Sequence, residues 1–170
     1  VGIATAEELP IYHVHGFLPE DRSAYTNLNR ATLVFSEEGY HKIYSEPYHW
    51  SNLIQLTTLK ETTCLMIGLS LTDPNLRRLL EIVPKPIDSV KHFAFMRRLD
   101  YEKFTKNDGK NIVKAPVGTI SKFLERHHSL NEAVMRELGI NIIWYEEYDE
   151  IPKILQRIGN LIGIKGLNQK

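Results

Sequence analysis

Two kinds of residue in this sequence carry potential chemistry: histidines set in pairs, and a short loop built from glycine, serine and aspartate. His13 and His15 stand two apart in the β-prone run Ile11-Tyr12-His13-Val14-His15. On an extended strand both point to one face. Such spacing offers two metal ligands, but two do not make a site and no third partner is apparent. The alternative for His13 is a structural histidine bonded to backbone. His127 and His128 are adjacent in a helical stretch and diverge by about 100°, so they cannot converge on one ion. They read as surface and flank positions. The single cysteine, Cys64, lies in an apolar run and reads as a buried core thiol. One cysteine excludes an internal disulfide and a cysteine-based zinc ribbon. No metal is expected.

The loop is Gly68-Leu69-Ser70-Leu71-Thr72-Asp73-Pro74. Gly68 would let backbone approach a ligand closely. Ser70 supplies a hydroxyl. A helix starting at Asp73-Pro74 has N–H groups that suit a phosphate. The same residues also describe a well-capped βα turn with no ligand, and spacing alone does not choose between the two.

The elements that must position these groups follow from periodicity. Residues 11–15 read as a strand closed by Gly16 and Pro19, and Leu33-Val34-Phe35 as a second extended piece. Ser36 followed by Glu37 and Glu38 predicts a helix start, running to about Ser45 and stopped by Pro47. A further helix is expected over residues 48–60, on a repeat of Leu53, Leu56 and Leu59. Within the stretch from Thr62 to Leu71, the run Thr-Thr-Cys-Leu-Met-Ile reads as a strand buried on both faces, and Gly68 to Thr72 as the turn after it. Leu76, Leu79, Leu80 and Val83 form one face of the next helix, which Pro84 and Pro86 end. His92-Phe93-Ala94-Phe95-Met96 is a strand, and Asn107-Asp108-Gly109 a loop. A long helix over about 119–138 has Ile120, Phe123, Leu124, His127, Leu130, Val134 and Leu138 on one face and stops at Gly139. A final strand covers residues 140–145. Ile151, Ile154, Leu155, Ile158, Leu161 and Ile162 stripe the last helix. Trp50 and Trp144 read as packing residues. Strands alternating with helices imply an α/β fold, a Rossmann-like three-layer parallel sheet with right-handed crossovers and no second domain. In such sheets ligands bind at the carboxyl ends of the strands, where His15-Gly16 and the 68–74 loop both fall.

Bulk properties set the outer limits. The 170 residues are 42% hydrophobic and 25% charged, enough for one soluble domain with a core. Lys plus Arg and Asp plus Glu are equal at 21 each, so no broad field draws nucleic acid or an anionic membrane. No apolar run approaches a bilayer span, and a cytoplasmic setting is expected. The opening Val1-Gly2-Ile3-Ala4 reads as entry into the middle of a longer protein.

Four stretches resemble a known family. His13-Val14-His15-Gly16 resembles the Leu-His-Gly motif that carries the catalytic histidine of sirtuins. The 68–74 loop resembles their Gly-Thr-Ser-Leu-x-Val-x-Pro loop, which binds the nucleotide part of NAD. The match is closer to bacterial SIR2-like domains of the antiphage-defence type. Their wording is similar to Ile-Tyr-His-Val-His-Gly (11–16), Val-Phe-Ser-Glu-Glu-Gly-Tyr (34–40), Trp-Ser-Asn-Leu (50–53) and Ile-Gly-Leu-Ser-Leu-Thr-Asp-Pro-Asn-Leu-Arg-Arg-Leu-Leu (67–80).

This resemblance implies an NAD-consuming domain, a glycohydrolase that releases nicotinamide and an ADP-ribose product, with NAD as substrate. His15 would be the catalytic general base. Gly16, Gly68, Ser70, Leu71 and Asp73 would hold the nucleotide, and Arg97, Tyr145 and Glu146 would line the adenine pocket. Two departures qualify it. The family's Gly-Ala-Gly-x-Ser loop and Asn-x-Asp motif precede the histidine and are not among these residues, so the chain reads as the carboxyl-terminal half of the domain. Its partner would be the upstream half, and the 170 residues alone are expected to be inactive. The sirtuin zinc module is replaced by a helical insert over 19–60. Phe35-Ser36-Glu37 resembles the Phe-Gly-Glu stretch of deacetylases, with serine for glycine, which weakens a protein-deacylase reading. The alternatives are a non-catalytic NAD or ADP-ribose sensor, and an interaction module with a vestigial site. A homo-oligomer is compatible with all of these.

Overall fold

The computed structural model describes residues 10–24, 33–34, 36–83 and 90–161. Phe35, Pro84, Pro86 and Ile162 lie outside the described residues. The chain divides into two compact units, Val1–Thr58 and Leu59–Lys170.

In the first unit the expected strand over 11–15 does not form. The amide of Gly16 donates to the carbonyl of His13 at 2.9 Å, and Gly16 has a φ of 97°, so the chain turns where it was expected to stay extended. A strand needs a neighbour for its backbone groups; among the described residues the backbone contact here is one bond from Val34 N to His15 O, 2.9 Å. Leu33 and Val34 likewise form no strand. Helix α1, Glu37–Ser45, begins as its composition predicts, with Ser36 Oγ accepting from Gly39 N at 3.1 Å. Helix α2, Trp50–Glu61, starts two residues later than expected, because Pro47 and Tyr48 form a turn. Its buried positions near that start are polar. Asn52 Nδ2 donates to the carbonyls of Ile43 and Glu46 at 2.9 and 3.0 Å, so one amide satisfies two groups at the end of α1. Ser51, also buried, bonds His49 Nδ1 at 2.7 Å. The Trp-Ser-Asn-Leu motif thus fixes the α1–α2 corner. Trp50 is exposed rather than packed inside.

The second unit is built on a parallel sheet in the order β1-β2-β5, with β1 Leu65–Met66, β2 His92–Arg97 and β5 Ile140–Tyr145. This mixed α/β, parallel arrangement is the Rossmann-like class expected. Between these strands come α3 (Pro74–Ile82), α4 (Tyr101–Thr105), the hairpin β3 (Lys106–Asn107) and β4 (Lys110–Asn111), and α5 (Val117–Glu137); α6 (Glu150–Leu161) closes the chain's described part. The hairpin turns through Asp108 and Gly109, both at positive φ, as a two-residue loop requires. Strand β1 is shorter and less buried than its apolar run suggests. Met66 is buried, while Leu65, Ile67 and Leu69 are exposed, because β1 is an edge strand among the described residues. The core is Leu71, Leu79, Leu80, Val83, Ala94, Phe95, Ile120, Leu124, Met135 and Ile140. On α5 the buried face is Ile120, Leu124, His128 and Met135, so Phe123, His127 and Leu130 lie on an outer flank. Gly139 ends α5 in the left-handed region, φ 77°, and its carbonyl accepts from both Lys91 N and His92 N at 3.0 Å.

Candidate functional site

His15 sits in the turn that replaces the expected strand, and its ring is exposed. Its backbone is anchored by the bond from Val34, and its ring meets Tyr40 edge-on at 6.0 Å between centroids. An imidazole fixed by its backbone and open to solvent can exchange protons with a bound molecule. His13 stacks on Phe17 at 4.6 Å. Gly16 is the hinge of this turn, at a φ that favours glycine.

The 68–74 loop leaves β1 and enters α3. Gly68 has a φ of 73°, and a side chain there would meet nothing within 4 Å, so glycine is needed for the turn and the surface above it is open. Ser70 and Thr72 are exposed, with their hydroxyls bonded to each other at 2.7 Å. Between them Leu71 is 1% exposed and adopts a φ of 57°, a left-handed conformation that costs an L-residue roughly 1–2 kcal/mol. Its side chain is core, so what Leu71 can offer a ligand is backbone alone. Asp73 Oδ1 accepts from Asn75 N at 2.7 Å and Leu76 N at 3.0 Å. The amides expected to be open for a phosphate are therefore held by the cap's own carboxylate. What the loop exposes is the Gly68 backbone and the hydroxyl pair.

The parallel register aligns Arg97 with Tyr145, and it sets the carboxyl ends of β1, β2 and β5 at one end of the sheet. The 68–74 loop, Arg97, Tyr145 and Glu146 are thus gathered at that end. Arg97 is already engaged there. Its Nε donates to Glu146 O and its Nη2 to Glu147 Oε2, both at 3.0 Å, and its guanidinium lies over the Tyr148 ring at 4.9 Å. Lys103 joins the same carboxylate, Nζ to Glu147 Oε1 at 2.7 Å, and also contacts Asp100. The bond to Lys103 holds Glu147 below its ordinary carboxylate range, and the bond to Glu147 raises Lys103. Tyr145 is buried against Phe95 and Tyr148. Lys103, Glu147 and Tyr148 were not foreseen; the adjacent acids Glu146-Glu147 were the available signal, but their cation partners lie more than forty residues away in sequence.

Two other histidines are structural. His92 Nδ1 accepts from Cys64 N at 3.1 Å, and His128 Nε2 accepts from Leu99 N at 3.2 Å. His128 is buried edge-on to Trp144, at 5.0 Å, which corrects its expected flank position; His127 is exposed. Cys64 is half-buried, not sealed in the core. Among the described residues no group of three His, Cys, Asp or Glu is placed to hold a metal ion, and no helix is long and apolar enough to cross a membrane.

The family model of the SIR2-like domain matches residues 2–115. The chain belongs to the SIR2-like family. The matched stretch includes His15, the 68–74 loop and Arg97; Tyr145 and Glu146 follow it. Among curated proteins no significant match is found. Membership in the SIR2-like family ties the chain to NAD-related function.

Proposed function

We propose that this SIR2-like chain serves an NAD glycohydrolase, cleaving NAD to nicotinamide and ADP-ribose, in a bacterial defence setting. The observation that carries the reading is the juxtaposition, at one end of a parallel sheet, of a glycine turn with open surface above it and an exposed hydroxyl pair. These groups suit the adenosine side of NAD: Gly68 through backbone, Ser70 and Thr72 through hydroxyls. His15 supplies the base. Loss of nicotinamide leaves a cation-like anomeric carbon; water attacks that carbon while the His15 imidazole takes the water's proton, which gives ADP-ribose. Protein deacylation has less support, since serine stands at position 36 where the deacetylase stretch has glycine.

The test is nicotinamide release, followed by chromatography, in the natural full-length protein and its His15→Ala variant. A base acts on the transition state more than on the bound substrate, so turnover should fall ~10²–10⁴-fold with NAD binding largely kept. Unchanged turnover would remove His15 from the mechanism. Binding without turnover in the unmodified protein would favour a sensor.

A further inference from the structure

The left-handed residue inside the nucleotide loop is a leucine, and something must hold it there. Leu71 has φ 57° and a side chain that is almost wholly buried, whereas Leu69, Ser70 and Thr72 on either side are exposed. The reversed backbone turn lets one side chain enter the core while the hydroxyls beside it stay outside. Glycine or asparagine would enter this region more easily, so the leucine is kept in it by its surroundings. One part of those surroundings is apolar burial. The other is a single strong bond: Arg77 Nε donates to the carbonyl of Leu71 at 2.6 Å. Arg77 lies in the first turn of α3, half-buried, and its own amide is bonded to Asp73 O at 3.0 Å. The guanidinium therefore clamps the turn to the helix that follows it, and the bond is charge-assisted.

We propose that Arg77 is a positioning residue that sets the Leu71 turn, presents the Ser70–Thr72 hydroxyl pair to the nucleotide, and tunes affinity for the ADP-ribosyl group without entering the bond-breaking step. This rests on the reading of the 68–74 loop as nucleotide-binding. The side chain acts through the backbone of Leu71; it is not assigned a contact with the ligand. Lysine keeps the charge and donates from a single nitrogen but loses the planar fork, so it should replace arginine in part.

The experiment uses the natural full-length protein with Arg77→Ala and Arg77→Lys, and three readouts. Backbone chemical shifts of Leu71 in the ligand-free protein report its positive φ. Calorimetry gives the ADP-ribose dissociation constant. Nicotinamide release gives kcat and KM. In Arg77→Ala the positive-φ signature should be lost, ADP-ribose affinity should weaken ~10-fold, and KM should rise similarly with kcat within about twofold. Arg77→Lys should lie between, and it keeps the question answerable if the alanine variant folds poorly. A retained Leu71 signature with unchanged affinity in both variants would overturn the proposal. A fall in kcat at constant KM would also overturn it, by placing Arg77 in the chemical step. Failure of the unmodified protein to bind ADP-ribose would sink the nucleotide reading and the ligand half of this proposal, while the Leu71 shifts would still decide whether Arg77 sets the turn.

Discussion

Asp73 holds two amides of α3 through one carboxylate oxygen, and that geometry separates capping from ligand contact. If the residue is a cap, Asp73→Ala should lower unfolding free energy by about 1 kcal/mol in urea titration. Asp73→Asn should cost less and leave ADP-ribose affinity unchanged. A large affinity loss with the asparagine variant would instead return Asp73 to the ligand's first contacts. The cap itself was legible in the sequence, as was Ser36, because capping uses residues two or three positions away. Leu71 and Arg77 were not legible as a pair. Leucine carries no preference for the left-handed region, and the contact that holds it there joins a side chain to a backbone carbonyl six residues earlier. Arg97, expected just after its strand, is the last residue of β2, and its commitment to Glu146 and Glu147 depends on a register between β2 and β5 that local sequence does not encode.

Elements with strong apolar periods were read well, and those that depend on partners were not. Helix α3 and strands β2 and β5 match their patterns closely. The run at 11–15 has the composition of a strand but turns at Gly16, and among the described residues no strand pairs with it. On α5 the expected stripe holds at Ile120, Leu124 and Leu138, but Phe123, His127 and Leu130 are exposed while His128 and Met135 are buried, because His128 packs against Trp144 of β5. That packing has a pH consequence. His92 on β2 and His128 on α5 each accept an amide proton, which demands a neutral ring. Burial holds both below 6.5, helped by Lys91 at His92 and by Arg98 and His127 at His128. Unfolded, each would titrate near 6.5. Between the folded and unfolded values the unfolded chain binds more protons, so their contribution is complete above about pH 6.5 and declines as pH falls below it. The lowered carboxyls Asp100 and Glu147 have reference values of 3.8 and 4.5 and lose their contributions only at lower pH. The urea midpoint should therefore drop between pH 7 and 5.5, and the combined variant His92→Asn, His128→Gln, which keeps the acceptors without titrating, should flatten that slope. An equal slope in both proteins would contradict the assignment.

For the molecule as a whole, charge balance and sheet topology point the same way. Acidic and basic residues are equal at 21 each, and among the described residues several pair locally, as in Arg97–Glu147, Lys103–Glu147 and Lys153–Asp149. The proposed recognition rests instead on the geometry at the sheet's carboxyl end, where a glycine turn lies beside two exposed hydroxyls. What these 170 residues do not contain is a Gly-Ala-Gly-x-Ser loop for the pyrophosphate or an Asn-x-Asp motif for the ribose and water. A dinucleotide held at one end only keeps most of its phosphate hydration and gains little orientation of the bond to be cleaved. Residues 1–170 on their own should therefore release nicotinamide at no more than the background rate and bind ADP-ribose no tighter than ~1 mM, about 4 kcal/mol of association free energy. Calorimetry and chromatographic nicotinamide release on this chain, beside the natural full-length protein, measure both quantities. Tight binding with robust turnover by residues 1–170 would mean that the pyrophosphate is held by groups within them, and the 68–74 loop would be the first place to seek those groups.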